Sequence, residues 1–198
     1  MKHVILSVAK CHEWLNSELK TQGVTTMLNP KTQEAFNKEI NAELFSSYMY
    51  LSMAAYFESR NLTGFANWMR VQAQEEVVHA MKFYDFIHDR NGRVELTAID
   101  GPPIHWDSPL EVFEQAYAHE CKVSGLINNL VSLAIGENDH AANTFLQWFV
   151  TEQVEEEANA QAMIDKLTLV GDSGPGLFML DTEAAQRTFV PPTAGAAT

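Results

Sequence analysis

Four long segments with a helical spacing of apolar residues constrain the fold of this chain most. Asn29-Pro30 has the pattern of a helix start, with Asn as the cap and Pro at the first helical position. The first predicted helix covers about residues 30–59. Its expected apolar stripe consists of Ile40, Leu44, Leu51 and Ala55.

The second helical segment follows almost at once. Asn61 is positioned to cap it, and Asn91-Gly92 stops it. Its apolar residues are Phe65, Trp68, Met69, Val77, Phe83 and Ile87. Because the joining loop is very short, we expect the first and second helices to lie antiparallel.

Residues 92–107 break the helical pattern and form the longest predicted connection. They contain Gly92, Gly101 and the pair Pro102-Pro103, which do not continue a helix. A helix of about 30 residues is ~45 Å long, and about 16 extended residues span ~50 Å. The connection is therefore long enough to return along the whole bundle, which predicts that the second and third helices run parallel.

Two more long helices and a short terminal one complete the predicted all-α fold. Ser108-Pro109-Leu110-Glu111 has the pattern of a capping box for the third helix, which runs to about Ile135. The turn at 136–139 leads into a fourth helix that ends at Gly171, and a short helix follows Gly176. The expected organisation is an N-terminal extension at 1–28, a four-helix bundle at 29–170, a short C-terminal helix at 171–188 and a disordered tail at 189–198.

The charge balance favours cations as ligands. Asp and Glu number 26 against 13 Lys and Arg, for a net charge of -13, so nucleic acid and anionic membranes would be repelled. Cys11 and Cys121 form no CxxC pair, and the cytoplasm is the expected compartment. The apolar run at 4–9 is shorter than a signal-peptide core, and no run reaches the roughly 20 apolar residues that span a bilayer.

Carboxylates and one histidine at helical spacing are the candidate metal ligands. Glu76-Val77-Val78-His79 places a carboxylate and an imidazole one turn apart, a pattern that by itself is usually a solvated face. Glu43 lies within an apolar and aromatic stretch of the first helix, and Glu120 lies between apolar neighbours on the third. The fourth helix carries Glu152, Glu155 and Glu156. Each long helix therefore offers at least one ligand.

Several carboxylates gathered in a bundle core require a cation. They repel one another and lose hydration, which raises their pKa values and destabilises the fold unless a positive charge compensates. Oxygen ligands with one imidazole suit iron or manganese and differ from the Cys-rich sites of structural zinc. Iron is the first choice, with zinc as an expected inhibitor.

Several stretches of the sequence resemble prokaryotic non-haem ferritins. They are NAELFSSYMYLSMAAYF, WMRVQAQEEVVHAMKFYDFI, YAHE and FLQWFVTEQVEEEANAQAMIDKLTLVGDSGPGLFMLD. The resemblance covers residues 27–181 and implies a ferritin-like four-helix bundle with a long crossover between its second and third helices. It further implies a homo-oligomeric, octahedral cage of 24 subunits and a ferroxidase that oxidises Fe(II) with O2 or H2O2 and stores the ferric mineral.

The resemblance also assigns ligands by position. The first iron would be held by Glu43, Glu76 and His79. The second would be held by Glu76, as a bridge, with Glu120 and Glu156. The family's third iron site would fall on Glu75, Glu152 and Glu155. Tyr50 corresponds to a tyrosine that hydrogen-bonds a ligand or supplies an electron, and Gln153 to a glutamine near the second iron.

The less central residues also have ordinary structural interpretations. Acidic residues that could simply form a helix surface are Glu75, Glu152, Glu155 and Glu157. Tyr50 could be a core residue that needs one hydrogen bond. The histidines without a predicted role are His88, His105, His119 and His140. Glu137 and Asp139 lie at the turn where subunits of the family meet on a threefold axis, and could line a pore for Fe(II).

Two positions separate the chain from the haem-binding bacterioferritins. Those proteins carry Met directly after the Glu of E-x-x-H and have a second E-x-x-H, whereas this chain has Val77 and Asn159 at the two positions. No haem is therefore expected. The enzymatic alternative is a stand-alone di-iron oxidase or peroxide reductase of the rubrerythrin type, and the non-enzymatic alternative is an inert iron-sequestering shell.

Overall fold

The computed structural model describes residues 27–191, and these form five α-helices without a strand. The helices are α1 (Pro30–Ser59), α2 (Thr63–Asp89), α3 (Pro109–Gly136), α4 (His140–Val170) and α5 (Gly174–Ala184). The predicted all-α class and four-helix bundle are confirmed. Most of the predicted N-terminal extension, residues 1–26, and most of the predicted disordered tail lie outside the described residues. Among the described helices, none is long and apolar enough to cross a membrane.

Side-chain caps start three of the long helices, and two of the caps, Asn29 and Ser108, are the ones that the sequence predicts. The Asn29 Oδ1 atom accepts the Lys31 N–H at 2.9 Å, and the Ser108 Oγ atom accepts the Glu111 N–H at 3.1 Å. The Asp139 side chain caps α4 in the same way. Each bond satisfies an N–H group in the first turn, which has no partner within the helix.

The start of α2 differs from the prediction. Asn61 does not cap the helix, because it adopts a left-handed conformation with φ of 58° in the α1–α2 turn. The cap position belongs to Leu62, which supplies no side-chain acceptor. The acceptor comes from α5 instead, where Asp181 Oδ1 accepts the Phe65 N–H at 2.9 Å. Asn tolerates left-handed backbone better than most residues, which explains its place in this turn.

The buried face of α1 also differs from the predicted stripe. Leu51 is 48% exposed, Ala55 is exposed and Leu44 is only partly buried. One stripe of buried residues follows alternating steps of four and three along the helix: Phe36, Ile40, Glu43, Ser47, Tyr50, Ala54 and Phe57. This is the heptad spacing of helices that wrap around each other with a left-handed twist. The predicted stripe leaves this pattern after Ile40, and its later residues therefore turn away from the core. Glu43 occupies a core position of this pattern.

The connection between α2 and α3 runs along the whole of α1. Polar side chains of α1 and backbone groups of the connection are bonded in the same order along both segments. The bonds join Gln33 to Arg93 at 2.8 Å, Asn41 to Ala98 at 3.0 Å and Ser52 to Pro103 at 2.6 Å. Because the connection returns from one end of the bundle to the other, α2 and α3 run parallel, as predicted.

Two apolar clusters fill the ends of the bundle and leave a polar layer between them. One contains Phe57, Phe65, Phe113, Met163 and Leu167. The other contains Phe36, Phe83, Ile127, Leu130 and Phe149. The buried polar residues of the layer are Glu43, Gln72, Glu76, His79, Glu120, Gln153 and Glu156. Dense apolar packing on both sides holds these polar side chains away from bulk water.

The short helix α5 packs against the beginning of α2. It begins at Gly174, two residues before Gly176, where the sequence prediction placed its start, because the Ser173 side chain accepts the Gly176 N–H at 3.2 Å. Gly64 allows the close approach: a Cβ atom there would lie 1.7 Å from the Asp181 carbonyl oxygen. The absence of a side chain at residue 64 is therefore a requirement of this packing.

Candidate metal centre

Five side chains from four helices face one another in the polar layer. Glu43 comes from α1, Glu76 and His79 from α2, Glu120 from α3 and Glu156 from α4. Each is between 1% and 4% exposed. Buried ionisable residues of this number are uncommon in a structural core, because each loses the hydration of its charge.

Glu43, Glu76 and His79 form the first group that could share a cation. One ligand atom from each lies within 4.8 Å of the others. The His79 Nδ1 atom is 3.2 Å from Glu76 Oε2, as the one-turn spacing on α2 requires. The Glu43 Oε2 and Glu76 Oε1 atoms are buried and accept no hydrogen bond within the protein. Buried oxygens without donors are suited to a cation.

A second group uses the other side of the His79 ring. Ligand atoms of His79, Glu152 and Glu156 lie within 4.8 Å of one another, and Nε2 of His79 is 3.9 Å from Glu152 Oε1. Glu152 therefore lies beside Glu156, although the sequence assigns it to a third site. Glu120 belongs to neither group: its carboxylate accepts hydrogen bonds from the Tyr50 hydroxyl and, at 3.2 Å, from Gln153 Nε2.

Burial raises the pKa of every carboxyl group in the centre. It raises the pKa of Glu76 to about 7. Burial and then the charge of Glu76 raise the pKa values of Glu120 and Glu156 to about 8. The same two causes hold the pKa of Glu43 well above its usual range. Near neutral pH these groups carry protons that a cation would displace.

His79 is shifted the opposite way. Burial lowers the pKa of its imidazole, although the surrounding carboxylates act against this effect. A neutral imidazole retains a lone pair with which to bind a metal ion. Oxygen-rich ligands with one such nitrogen match the preference of iron and manganese rather than of magnesium.

The sequence matches the Ferritin-like domain family over residues 33–170. This chain belongs to the ferritin family. A bacterial non-heme ferritin of Bacteroides fragilis is 47% identical over 161 residues, which cover 81% of this chain and 100% of the relative. A Staphylococcus aureus bacterial non-heme ferritin is 39% identical, covering 82% and 98% of the two chains.

Solved ferritin structures are similar over the same region. An Archaeoglobus fulgidus ferritin engineered into a closed form is 52% identical with a TM-score of 0.82, and the match covers 82% of this chain and 99% of that one. An open-pore ferritin from the same archaeon is 52% identical with a TM-score of 0.81, with the same coverage. The family predicted from the sequence is thus confirmed, and it places the chain among the iron-storage proteins.

Tyr50 and Gln153 lie beside the candidate centre. Both are buried, and both donate to Glu120. Gln153 also donates to the Glu120 carbonyl oxygen at 3.2 Å. Their hydrogen bonds orient the Glu120 carboxylate.

Sequence reasoning missed two buried polar residues next to the candidate ligands. The Gln72 side chain is fully buried and donates to a Glu156 carboxylate oxygen. Glu39 is 3% exposed, with an Oε1 atom that accepts no hydrogen bond. Each lies four residues before a candidate ligand, Gln72 before Glu76 and Glu39 before Glu43. One-turn spacing from a ligand was the available signal.

The three residues assigned to a third iron do not form one group in this conformation. Glu75 is paired with Arg187, whose Nη2 atom is 2.6 Å from Glu75 Oε2. Glu152 is half-buried beside His79, and Glu155 is exposed. The third site therefore stays a prediction.

The remaining candidates have partners within the chain. The Glu137 carboxylate accepts bonds from Asn29 at 2.7 Å and Lys31 at 2.6 Å, and Asp139 is ion-paired with Arg90 at 3.0 Å. The pore at this turn stays a prediction for the assembled protein.

Among the histidines without a predicted role, His119 is packed beside Tyr50 and hydrogen-bonded to Ser46 Oγ at 2.7 Å, which indicates a structural role. The other three, His88, His105 and His140, are exposed.

Proposed function

We propose that this chain is a ferroxidase that binds two Fe(II) ions in the polar layer, oxidises them with O2 or H2O2, and stores the ferric product in a hollow homo-oligomeric shell. The first Fe(II) is held by Glu43, Glu76 and His79. The second is held by Glu76, Glu120 and Glu156. Possession of this ligand set distinguishes the proposal from an inert shell.

The observation that carries the proposal is the convergence of buried, proton-carrying carboxyl groups with one neutral imidazole. Glu76 is central, because its charge raises the pKa values of Glu43, Glu120 and Glu156 alike. Such an arrangement is unfavourable in a metal-free core. It becomes favourable when two dications replace the protons, since each carboxylate then faces positive charge.

The electron balance explains the need for a pair of ions. Two Fe(II) ions lose one electron each, and O2 takes up both electrons with two protons to form H2O2. When H2O2 is the oxidant, the same two electrons and two protons give two water molecules. A shared carboxylate keeps both ions near one oxidant molecule, so both electrons leave in one encounter.

The protein supplies orientation and exclusion of water. Tyr50 and Gln153 hold the Glu120 carboxylate, and Gln72 holds Glu156. The apolar clusters above and below the layer restrict access to small molecules. Ferric iron prefers oxygen ligands more strongly than Fe(II) does, and the acidic ligand set therefore favours the oxidised product.

The test is stopped-flow oxidation of Fe(II) by the wild-type chain and by Glu120→Gln. Loss of one charged ligand is expected to slow the fast phase at least about tenfold. Glu114→Gln is the matched control, since Glu114 is an exposed carboxylate on the same helix, and it should oxidise Fe(II) at the wild-type rate. Equal rates in all three proteins would reject the assigned centre.

Assembly separates storage from the rubrerythrin-type alternative. We expect native mass spectrometry to find a complex of 24 chains, and electron microscopy to find a hollow particle that fills with mineral after Fe(II) and O2 are added. The relatives include a ferritin with an open pore and one engineered to be closed, which supports a shell. A protein that oxidises Fe(II) but stays a dimer would instead be a stand-alone oxidase.

A further inference from the structure

The segment that follows α5, residues 185–191, lies against α2 and reaches a cavity beside the candidate metal centre. The Asn67 side-chain amide on α2 donates to the carbonyl oxygens of Ala184, Ala185 and Arg187, the last at 2.9 Å. Hydrogen bonds from the Asn67 amide group thus attach the backbone of residues 185–191, the C-terminal segment, to α2.

Arg187 extends from the C-terminal segment along α2. Its guanidinium lies 4.3 Å from the centre of the Trp68 ring, and its Nη2 atom is 2.6 Å from Glu75 Oε2. Trp68 and Glu75 are two turns apart on one face of α2, so the arginine bridges them. The ion-paired side chains are only 19% and 23% exposed. Partial burial and stacking make this pair stronger than a surface ion pair.

Glu75 lines a cavity of ≈ 230 Å³ that opens beside the candidate centre. His79 and Glu152 line the same cavity, and Phe189 and Val190 of the C-terminal segment close part of its rim. The segment thus places a fixed positive charge on one acidic wall of the cavity and apolar side chains over it. The cavity contains two of the three residues that the sequence assigns to a third iron.

We propose that Arg187 competes with a third divalent cation for the Glu75 carboxylate. Its guanidinium forms an ion pair with Glu75. Glu75, Glu152 and Glu155 therefore bind a third cation only when the C-terminal segment moves away. This inference rests on the proposed function, because it presupposes the dinuclear centre beside the cavity. Arg187 is not a ligand; it determines how many cations one chain holds.

Charge and geometry both support competition. A guanidinium stays protonated at every physiological pH, so Arg187 does not leave Glu75 by losing its proton. A divalent cation needs the Glu75 oxygens free and close to Glu152, whereas the ion pair holds Glu75 towards Trp68. Binding of the third cation therefore has to break the ion pair and displace the guanidinium, which lowers its affinity.

The test counts cations per chain by calorimetric titration of the metal-free, full-length protein with Zn²⁺, which undergoes no oxidation. The variants are Arg187→Gln and Arg187→Lys. The matched control is Arg70→Gln, because Arg70 also lies on α2 and also forms a 2.6 Å ion pair, with Glu58, but away from the cavity. The double variant Arg187→Gln with Glu75→Gln assigns any additional cation.

Wild type, Arg70→Gln and Arg187→Lys are expected to bind two Zn²⁺ tightly, since a lysine retains the competing charge. Arg187→Gln should bind a third Zn²⁺ at least about tenfold more tightly than wild type, and Glu75→Gln should abolish the gain. Equal third-ion affinity in wild type and Arg187→Gln would overturn the inference, as would an equal gain in Arg187→Lys. Absence of any tight Zn²⁺ in all variants would overturn the dinuclear centre itself.

Discussion

Glu39 and Glu43 are both buried on α1, one turn apart. Of these two residues, Glu43 belongs to a group that could share a cation, whereas Glu39 belongs to no such group among the described residues. The heptad spacing of α1 explains why Glu43 faces the bundle interior. Glu39 lies on a neighbouring stripe with the same spacing, between the buried residues Phe36 and Glu43. Its buried Oε1 atom accepts no hydrogen bond within the protein. Ionised Glu39 therefore has an electrostatic cost in the folded protein, and Glu39 belongs to neither candidate metal group.

We predict that Glu39→Gln stabilises the metal-free protein at pH 8. Burial raises the pKa of Glu39 to about 7, above the value near 4.5 of an unfolded chain. The folded state therefore holds a proton that the unfolded state has lost between these values, and stability falls as pH rises through that window. Removing the charge should raise the thermal midpoint by about 3 °C at pH 8.

The pH dependence distinguishes this explanation from a packing effect. At pH 4.5, where the Glu39 carboxyl keeps its proton in the folded protein, the midpoint of Glu39→Gln should equal that of wild type. Glu114→Gln, at an exposed position on α3, should change neither midpoint. A gain of the same size at both pH values would contradict the electrostatic cost.

At the scale of elements, the packing of α5 on α2 depends on one glycine. Gly64 meets the α5 backbone at a distance that no side chain allows, and Asp181 of α5 accepts the Phe65 N–H that α2 leaves without a local cap. The two contacts reinforce each other, since losing the close approach also removes the acceptor.

We predict that Gly64→Ala detaches α5 and lowers stability by roughly 2–4 kcal/mol, because the new Cβ atom would overlap the Asp181 carbonyl. Gly125→Ala is the matched control: Gly125 lies within α3 with open space around its Cβ position, and Ala there should stabilise the helix by about 0.5–1 kcal/mol. Denaturant unfolding measures both changes. A Gly64→Ala protein as stable as wild type would show that α5 tolerates displacement.

At the scale of the whole molecule, the buried carboxyl groups of the candidate metal centre are expected to couple folding to pH and to metal binding. Glu76, Glu120 and Glu156 have folded pKa values of about 7 to 8, well above those of an unfolded chain. The metal-free folded state binds more protons than the unfolded state between about pH 4.5 and 8. Its stability is therefore expected to decrease as pH rises through this range.

We predict that the thermal midpoint of the metal-free protein is higher at pH 5 than at pH 8.5, and that Zn²⁺ raises the midpoint at pH 8.5 much more than at pH 5. At pH 5 the buried carboxyl groups hold protons, which Zn²⁺ has to displace before it binds. At pH 8.5 most of these groups are charged, so Zn²⁺ binds more tightly and stabilises the folded state more. Titration with Zn²⁺ in weakly buffered solution at pH 6.5 should release protons. A metal-free protein that becomes more stable from pH 5 to 8.5 would contradict the buried carboxyl cluster.

The helix ends and the chain topology could be predicted from sequence because their causes are local. Asn29 and Ser108 cap the helices that follow them, as predicted. The length of segment 92–107 was sufficient for a return along the bundle. Asn61 was misassigned as a cap because the acceptor for α2 comes from Asp181, more than a hundred residues away. No local pattern contains that information.

Within the candidate centre, the sequence determined the ligand types and the helix that carries each one, because spacing on a helix sets which side chains share a face. Tertiary structure decided what surrounds them. The heptad twist exposed Leu51 and buried Glu43, the meeting of four helices brought Glu152 to His79, and the C-terminal segment carried Arg187 to Glu75. These contacts join residues far apart in the chain, and their energies depend on burial and distance, which exist only once the helices have packed.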